Sequence, residues 1–212
     1  MTEKKNTTPK RKKWIFWLIA TICVVAAVVA VVLFWDNEKA PQKAKTEPTL
    51  SVETPQKISR TQTEEIVLDV TISTLGKAVY PAMSVSISFD SSRLEFLGVR
   101  EGNVFVQDTG NSSGQQLPEW SCNVETSNET GVINVMYLDM TGGKHAFSQN
   151  FLAEKDNVVM RLAFRLRGSV RAGDVLDLIV EDAVFAASDE TQSLATTKDT
   201  LKVKHGKIVI GE

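Results

Sequence analysis

The sequence predicts an all-β domain of about nine strands in two antiparallel sheets packed face to face, preceded by a single transmembrane helix. Three observations lead there. An uncharged apolar run occupies Trp14–Trp35. Beyond it, short stretches rich in β-branched residues alternate apolar and polar positions with a period of two, and turn residues separate them. No stretch after Trp35 shows the three-to-four-residue apolar spacing of an amphipathic helix.

The apolar run reads WIFWLIATICVVAAVVAVVLFW, twenty-two residues without a charge, a proline or a glycine. At about 1.5 Å per residue such a helix spans a hydrocarbon core of roughly 30 Å. Trp14 and Trp17 at one end and Trp35 at the other suit the headgroup level. Lys4, Lys5, Lys10, Arg11, Lys12 and Lys13 precede it against a single acid, Glu3. That bias holds Met1–Lys13 in the cytoplasm and sends the rest outside. The rival reading is a cleaved signal peptide, whose apolar region is usually about 7–15 residues and ends in a small-x-small site. This run is longer, and no A-x-A triplet lies at its exit. The expected layout is a cytoplasmic tail (Met1–Lys13), a signal-anchor helix (Trp14–Trp35), a polar tether with two prolines (Asp36–Pro48) and an exported domain (Thr49–Glu212). A fully extended tether reaches at most about 45 Å, which keeps the domain near the membrane.

Charge separates the two ends. The first thirty-five residues hold six of the 24 basic and one of the 26 acidic residues, leaving 18 and 25 for the exported part, a net charge near −7. A field of that sign argues against nucleic acid and against anionic lipid surfaces. Cys23 lies in the apolar run and Cys122 in the exported part, so they form no bridge within one chain. A domain without disulfides must rest on a packed core, which suits a bacterial surface protein better than a small eukaryotic secreted domain. The sequons at Asn111 and Asn128 then read as chance matches; in a eukaryotic secretory pathway they would be glycan sites on loops.

The strands follow in order. Leu50–Glu53 is short. Ile66, Leu68, Val70 and Ile72 share one side of the second strand. Met83, Val85, Ile87 and Phe89 alternate with Ala82, Ser84, Ser86 and Ser88 in the third, the cleanest two-residue period in the chain. Asp90-Ser91-Ser92 turns into a fourth strand, Leu94–Val99. Gly102–Gly114 reads as loop, Trp120, Cys122 and Val124 as a fifth strand, and Val132–Met140 as a sixth. After a long connection the seventh points Val158, Met160, Leu162, Phe164 and Leu166 inward, with Arg161 and Arg165 outward. Val175–Phe185 is the eighth and Lys207–Ile210 the last. Regular spacing and one-sided alternation fit a sandwich.

Four segments together resemble cohesin domains. LSVETPQKISRTQTEEIVLDVTIS is similar to the opening of that family, and AVYPAMSVSISFDSSRLEFLGV to its third and fourth strands. GVINVMYLDMTGG resembles the sixth strand with its glycine exit, and NVVMRLAFRLRGSVRAGDVLDLIVEDAVFAASDE the seventh and eighth. The resemblance covers Thr49–Glu212 in one order with similar spacing. It implies a nine-stranded jelly-roll sandwich related to cellulose-binding modules. It also implies a partner, the dockerin module of polysaccharide-degrading enzymes, which carries the calcium; no D-x-D-x-D-G calcium loop occurs in this chain. The family's recognition face is a flat sheet of strands eight, three, six and five. Its third strand often shows an Asn and an Asp two residues apart, where this chain has Ala82 and Ser84. On the sixth strand, Met136, Leu138, Asp139 and Gly142 fill the family's apolar, acidic and glycine places.

The residues of the sixth strand point the same way by themselves. Val132, Ile133, Val135, Met136, Tyr137 and Leu138 make both its faces apolar, whereas one face of a sandwich strand normally meets water. Either a loop covers the outer face or that face is an interaction platform. The serine row Ser84, Ser86 and Ser88 is either a solvated face or a set of adaptable donors beside the platform. The expected partner-binding set is therefore Ala82, Ser84, Ser86, Ser88, Met136, Leu138, Asp139 and Gly142.

Catalytic chemistry is not in evidence. His145 and His205 lack Cys or His at ligand spacing, and the chain has no G-x-S-x-G, P-loop or G-x-G-x-x-G. Acidic pairs such as Asp189-Glu190 are common on solvated loops. A binding module with no cofactor and no metal of its own is expected. The alternative is a carbohydrate-binding module that grips polysaccharide directly. Such grips use coplanar Trp and Tyr rings, and the exported part offers only Trp120, Tyr80 and Tyr137, with Trp120 placed inward by alternation.

Overall fold

The strands form where β-branched and aromatic residues alternate with polar ones, because such side chains fit a pleated surface buried on one face. In the computed structural model, which describes residues 47–55, 57–107, 115–155, 157–168 and 170–212, the nine expected strands are all present. They are β1 (Thr49–Val52), β2 (Ile66–Ile72), β3 (Ala82–Phe89), β4 (Leu94–Glu101), β5 (Ser121–Cys122), β6 (Val132–Leu138), β7 (Val158–Leu166), β8 (Val175–Ala186) and β9 (Gly206–Gly211). Asn111 and the expected tail, membrane helix and nearly all of the tether lie outside the described residues. Among the described residues no helix is long and apolar enough to cross a membrane.

One sheet runs Lys202–Lys204, β1, β2, β7, β4; the other runs Ile58–Ser59, β9, β8, β3, β6, β5. The second contains the neighbours eight, three, six and five that the resemblance implies. β3 lies at its centre, paired along its length with β6 on one side and β8 on the other. Its residues Met83, Val85, Ile87 and Phe89 are buried, as the alternation predicts. They meet Leu68, Val70, Leu162 and Phe164 of the first sheet in one core. Phe89, Phe96 and Phe164 pack with ring centroids 5.5–6.4 Å apart, in the tilted geometry that aromatic quadrupoles favour.

Three expectations need correction. The sheets are not purely antiparallel. Lys202–Lys204 lies parallel to β1, and Ile58–Ser59 lies parallel to β9. Both are short segments laid along outer strands, a pairing that alternation within one strand cannot disclose. The long connections are also partly paired: Val79–Tyr80 joins Phe147–Ser148, and Val106–Gln107 joins Gln115–Gln116.

The third correction is a helix, α1 (Val124–Thr130), in an exported part expected to hold no helix. Val124, assigned above to the fifth strand, opens it. Asn123 caps its N-terminus by accepting from the Thr126 amide at 2.9 Å, and Gly131 ends it at φ 69°, the left-handed position where glycine carries no Cβ penalty. Seven residues with one buried side chain, Ser127, give no apolar stripe to read. What holds α1 in place is Asn128. Its Oδ1 accepts from the Phe96 amide at 2.8 Å and its Nδ2 donates to the Phe96 carbonyl at 2.8 Å. The side chain thus stands where another strand would pair with β4, and it covers part of a sheet edge. Asn128 is accordingly a structural residue on a helix. A glycan on its Nδ2 would displace both bonds.

Equilibrium unfolding should rank three variants. Phe89→Ala should cost about 3–5 kcal/mol through the cavity it leaves. Asn128→Ala should cost about 1–3 kcal/mol, because the Phe96 amide and carbonyl lose their partner. Ser86→Ala, on the outer face of β3, should stay within about 0.5 kcal/mol. Equal losses at Phe89 and Ser86 would mean that the faces of β3 are reversed.

Candidate protein-docking face

Because side chains on a strand alternate, the residues between the buried ones all reach the outer face of the second sheet. Register arranges them in transverse rows. Ala186, Ala82 and Leu138 form the first row; Val184, Ser84, Met136 and Ser121 the second; Asp182, Ser86 and Asn134 the third; Ile179, Ser88 and Val132 the fourth. Apolar side chains therefore stand in the rows on both sides of the polar third row of Asp182, Ser86 and Asn134. Met136 and Leu138 are 51% and 53% exposed, so no loop among the described residues covers the outer face of β6. Met140, just past the strand, is 85% exposed at the Leu138 end. Six of the eight expected residues, Ala82, Ser84, Ser86, Ser88, Met136 and Leu138, thus share one surface.

Asp139 is placed differently. It is buried, and its carboxylate turns into the following loop. One oxygen accepts from the Thr141 amide at 2.6 Å and the Thr141 hydroxyl at 2.5 Å; the other accepts from the Gly143 and His145 amides at 2.7 and 3.2 Å. Burial pushes this carboxyl up, but the bonds from Thr141, Gly143 and His145 together outweigh it and hold the group below its ordinary range. Gly142 and Gly143 take φ of 78° and 91° within the loop. The expectation that Asp139 offers a free polar contact is corrected: it organises the loop that flanks Leu138. Beside it, burial and then the charges of Asp139 and Glu119 push the Tyr137 phenol up to about 12. The phenol stays protonated and donates to the His145 carbonyl at 2.8 Å.

The aromatic rings are inside. Tyr80 and Tyr137 are buried, and half-buried Trp120 stacks on Phe147 with centroids 6.0 Å apart. They form no flat exposed strip. Among the described residues no group of His, Cys, Asp and Glu could hold a metal ion.

Sequence reading named no residue of β8, although it placed that strand on the face. Asp182, Val184 and Ala186 stand there, together with Asn134 and Ser121. The missed signal is a phase change in VLDLIVEDAVFA: Leu176, Leu178 and Val180 point inward, then Ala183 and Phe185. A β-bulge between Val180 and Asp182 absorbs the shift.

The outer face of the first sheet contrasts with this one. It carries cross-strand ion pairs, Asp69 with Arg161 at 2.7 Å, Glu65 with Arg100 at 3.1 Å and Glu95 with Arg165 at 3.4 Å.

No protein-family model matches the chain, and no curated protein matches it either. Solved structures do. The third cohesin of ScaC from Acetivibrio cellulolyticus, in complex with the ScaB dockerin, is 14% identical with a TM-score of 0.58, over 78% of this chain and 99% of that one. A chain of the type I cohesin–dockerin complex Coh-OlpA–Doc918 from Clostridium thermocellum is 19% identical with a TM-score of 0.54, over 77% and 99%. A non-cellulosomal cohesin of the archaeon Archaeoglobus fulgidus is 17% identical with a TM-score of 0.50, over 78% and 92%. The domain is a β-sandwich with the cohesin fold.

The Asp139 loop yields a pH prediction. A carboxyl with a lowered pKa adds stability above the ordinary carboxylate range and loses it as pH falls through the folded value. Asp139→Asn cannot accept from all four donors. Its Tm should lie below that of the wild type at pH 7, and the gap should shrink as the pH falls below about 4. A gap that stays constant down to pH 3 would show that the charge of Asp139 does not hold the loop.

Proposed function

We propose that this chain is a membrane-anchored, non-catalytic receptor module that binds dockerin-bearing proteins through the outer face of β8, β3, β6 and β5, in the service of polysaccharide breakdown. The observation that carries the reading is the pair Met136 and Leu138, exposed on a flat sheet face beside the serine row. Contiguous exposed apolar surface at that position favours a protein partner. The fold it shares with cohesins solved in complex with dockerins supports the class of partner. The uncharged Trp14–Trp35 run and its basic flank support a single-pass anchor with the domain outside the cell. Calcium belongs to the partner in this reading. Ala82 and Ser84 replace the family's amide and acid, so apolar contact at Leu138 and Met136 carries more of the binding.

The test uses the full chain in mild detergent to capture secreted proteins of the source organism, with and without a chelator. Wild type should retain dockerin-bearing proteins only while calcium is present. Leu138→Arg, which would bury an unpaired charge at the contact, should weaken capture by several kcal/mol and leave thermal unfolding nearly unchanged. Unfolding of Leu138→Arg would mean that the face is core. Retention of the chain on insoluble cellulose with no protein partner would favour direct polysaccharide binding instead.

A further inference from the structure

Between the second and third rows of this face lies a shallow depression of about 390 Å³, lined by Ser84, Ser86, Asn134, Met136, Ser121 and Asp182 among others. Its one charged lining group is the Asp182 carboxylate. Oδ1 of Asp182 accepts from the Ala183 amide at 2.9 Å and from the Thr196 hydroxyl. Oδ2 accepts nothing from any described residue. The neighbouring Glu181 is occupied by the Ser88 hydroxyl at 2.6 Å. Asp182 faces this depression only because of the bulge at Glu181. Unbroken alternation from Ile179 would have turned Asp182 inward and Ala183 outward. Bulges often re-aim a side chain beside a functional site. The bulge is held from behind, where the Val180 amide donates to His205 Nδ1 at 3.1 Å.

We propose that this depression receives a lysine or arginine side chain of the docking partner, with Asp182 as its counter-charge and the Ser84, Ser86 and Asn134 oxygens as further acceptors. This rests on the docking-face reading and specifies the partner's chemistry. The lining holds no cation, and an exported part near −7 repels anions. A single carboxylate is too little for a metal ion. A free amine would leave the adjoining apolar rows uncovered. A partner helix laid along the strands covers both. Rows on one strand face lie about 7 Å apart, so Met136 and Leu138 sit in rows roughly 7 and 14 Å from the Asp182 row. Positions four and eight along a helix lie about 6 and 12 Å away. The cation should therefore be followed or preceded by apolar residues three or four, then seven or eight, positions along.

The experiment selects binders to the full chain, in detergent, from a phage-displayed library of calcium-loaded dockerin modules with randomised helix surfaces. Selected modules should carry Lys or Arg at that spacing from apolar residues. Asp182→Asn should weaken them about ten- to a hundredfold, while Asn Oδ1 still accepts from Ala183 and Thr196, so thermal unfolding should not change. Replacing the module's own basic residue by Gln should give the same loss without touching this chain. Asp182→Lys should select modules with Asp or Glu there. Modules that are lost on Leu138→Arg yet show no basic preference and ignore Asp182→Asn would overturn the inference and leave the docking face standing. Recovery of no dockerin module, or of modules indifferent to Leu138→Arg, would overturn both.

Discussion

The register of β3 against β6 and β8 is the constraint on which the rest depends. β3 is hydrogen-bonded along both edges, and each residue from Ala82 to Ser88 has a fixed partner on either side, with Asp182 past the bulge on the β8 side. A slip of one residue would carry Met83, Val85, Ile87 and Phe89 to the surface and the serines into the core. Loss of those four apolar side chains from the core would be prohibitive, so the rows on the outer face are as firmly placed as the core itself. The outer face is thus a by-product of core packing: what the core fixes inside, alternation fixes outside.

The two outer faces of the sandwich meet water in different ways. On the first sheet, acids and arginines stand opposite one another across strands, as Asp69 and Glu95 do with Arg161 and Arg165. Such exposed pairs add little stability, but they neutralise one another across the strands. On the second sheet, exposed apolar side chains lie beside hydroxyls and a half-satisfied carboxylate. That combination is what the proposed docking would use. The edges are closed by local means: Asn128 on β4, and short parallel segments beside β1 and β9.

Loop order on the apolar side follows the same economy. Asp139 gathers three amides and a hydroxyl, which lets a glycine pair turn sharply without leaving backbone donors buried and unpaired. Tyr137 ties the same loop to the core through the His145 carbonyl. Leu138 sits between these two anchored residues, so its exposed side chain projects from a rigid base.

The sequence by itself determined the main strands, the inward faces of β2 and β3 and the apolar character of both faces of β6, because a two-residue period says directly which side chains share a face; that Met136 and Leu138 are exposed came from the tertiary structure. The sequence also carried α1, in the cap signals Asn123 and Gly131, and the bulge, in the phase change of β8, but these are one-residue cues without a periodic pattern behind them. Tertiary structure alone decided the rest. Asp139 and Asp182 are both acids on or beside strands of one sheet. The first is turned into its own loop and saturated, and the second is turned outward by an inserted residue, with one oxygen accepting nothing from the described residues. Parallel pairing at the edges, and the use of Asn128 in place of a strand, likewise join residues far apart in the chain. Hydrogen-bond partners of that kind depend on where the chain returns in space, and no local pattern records it.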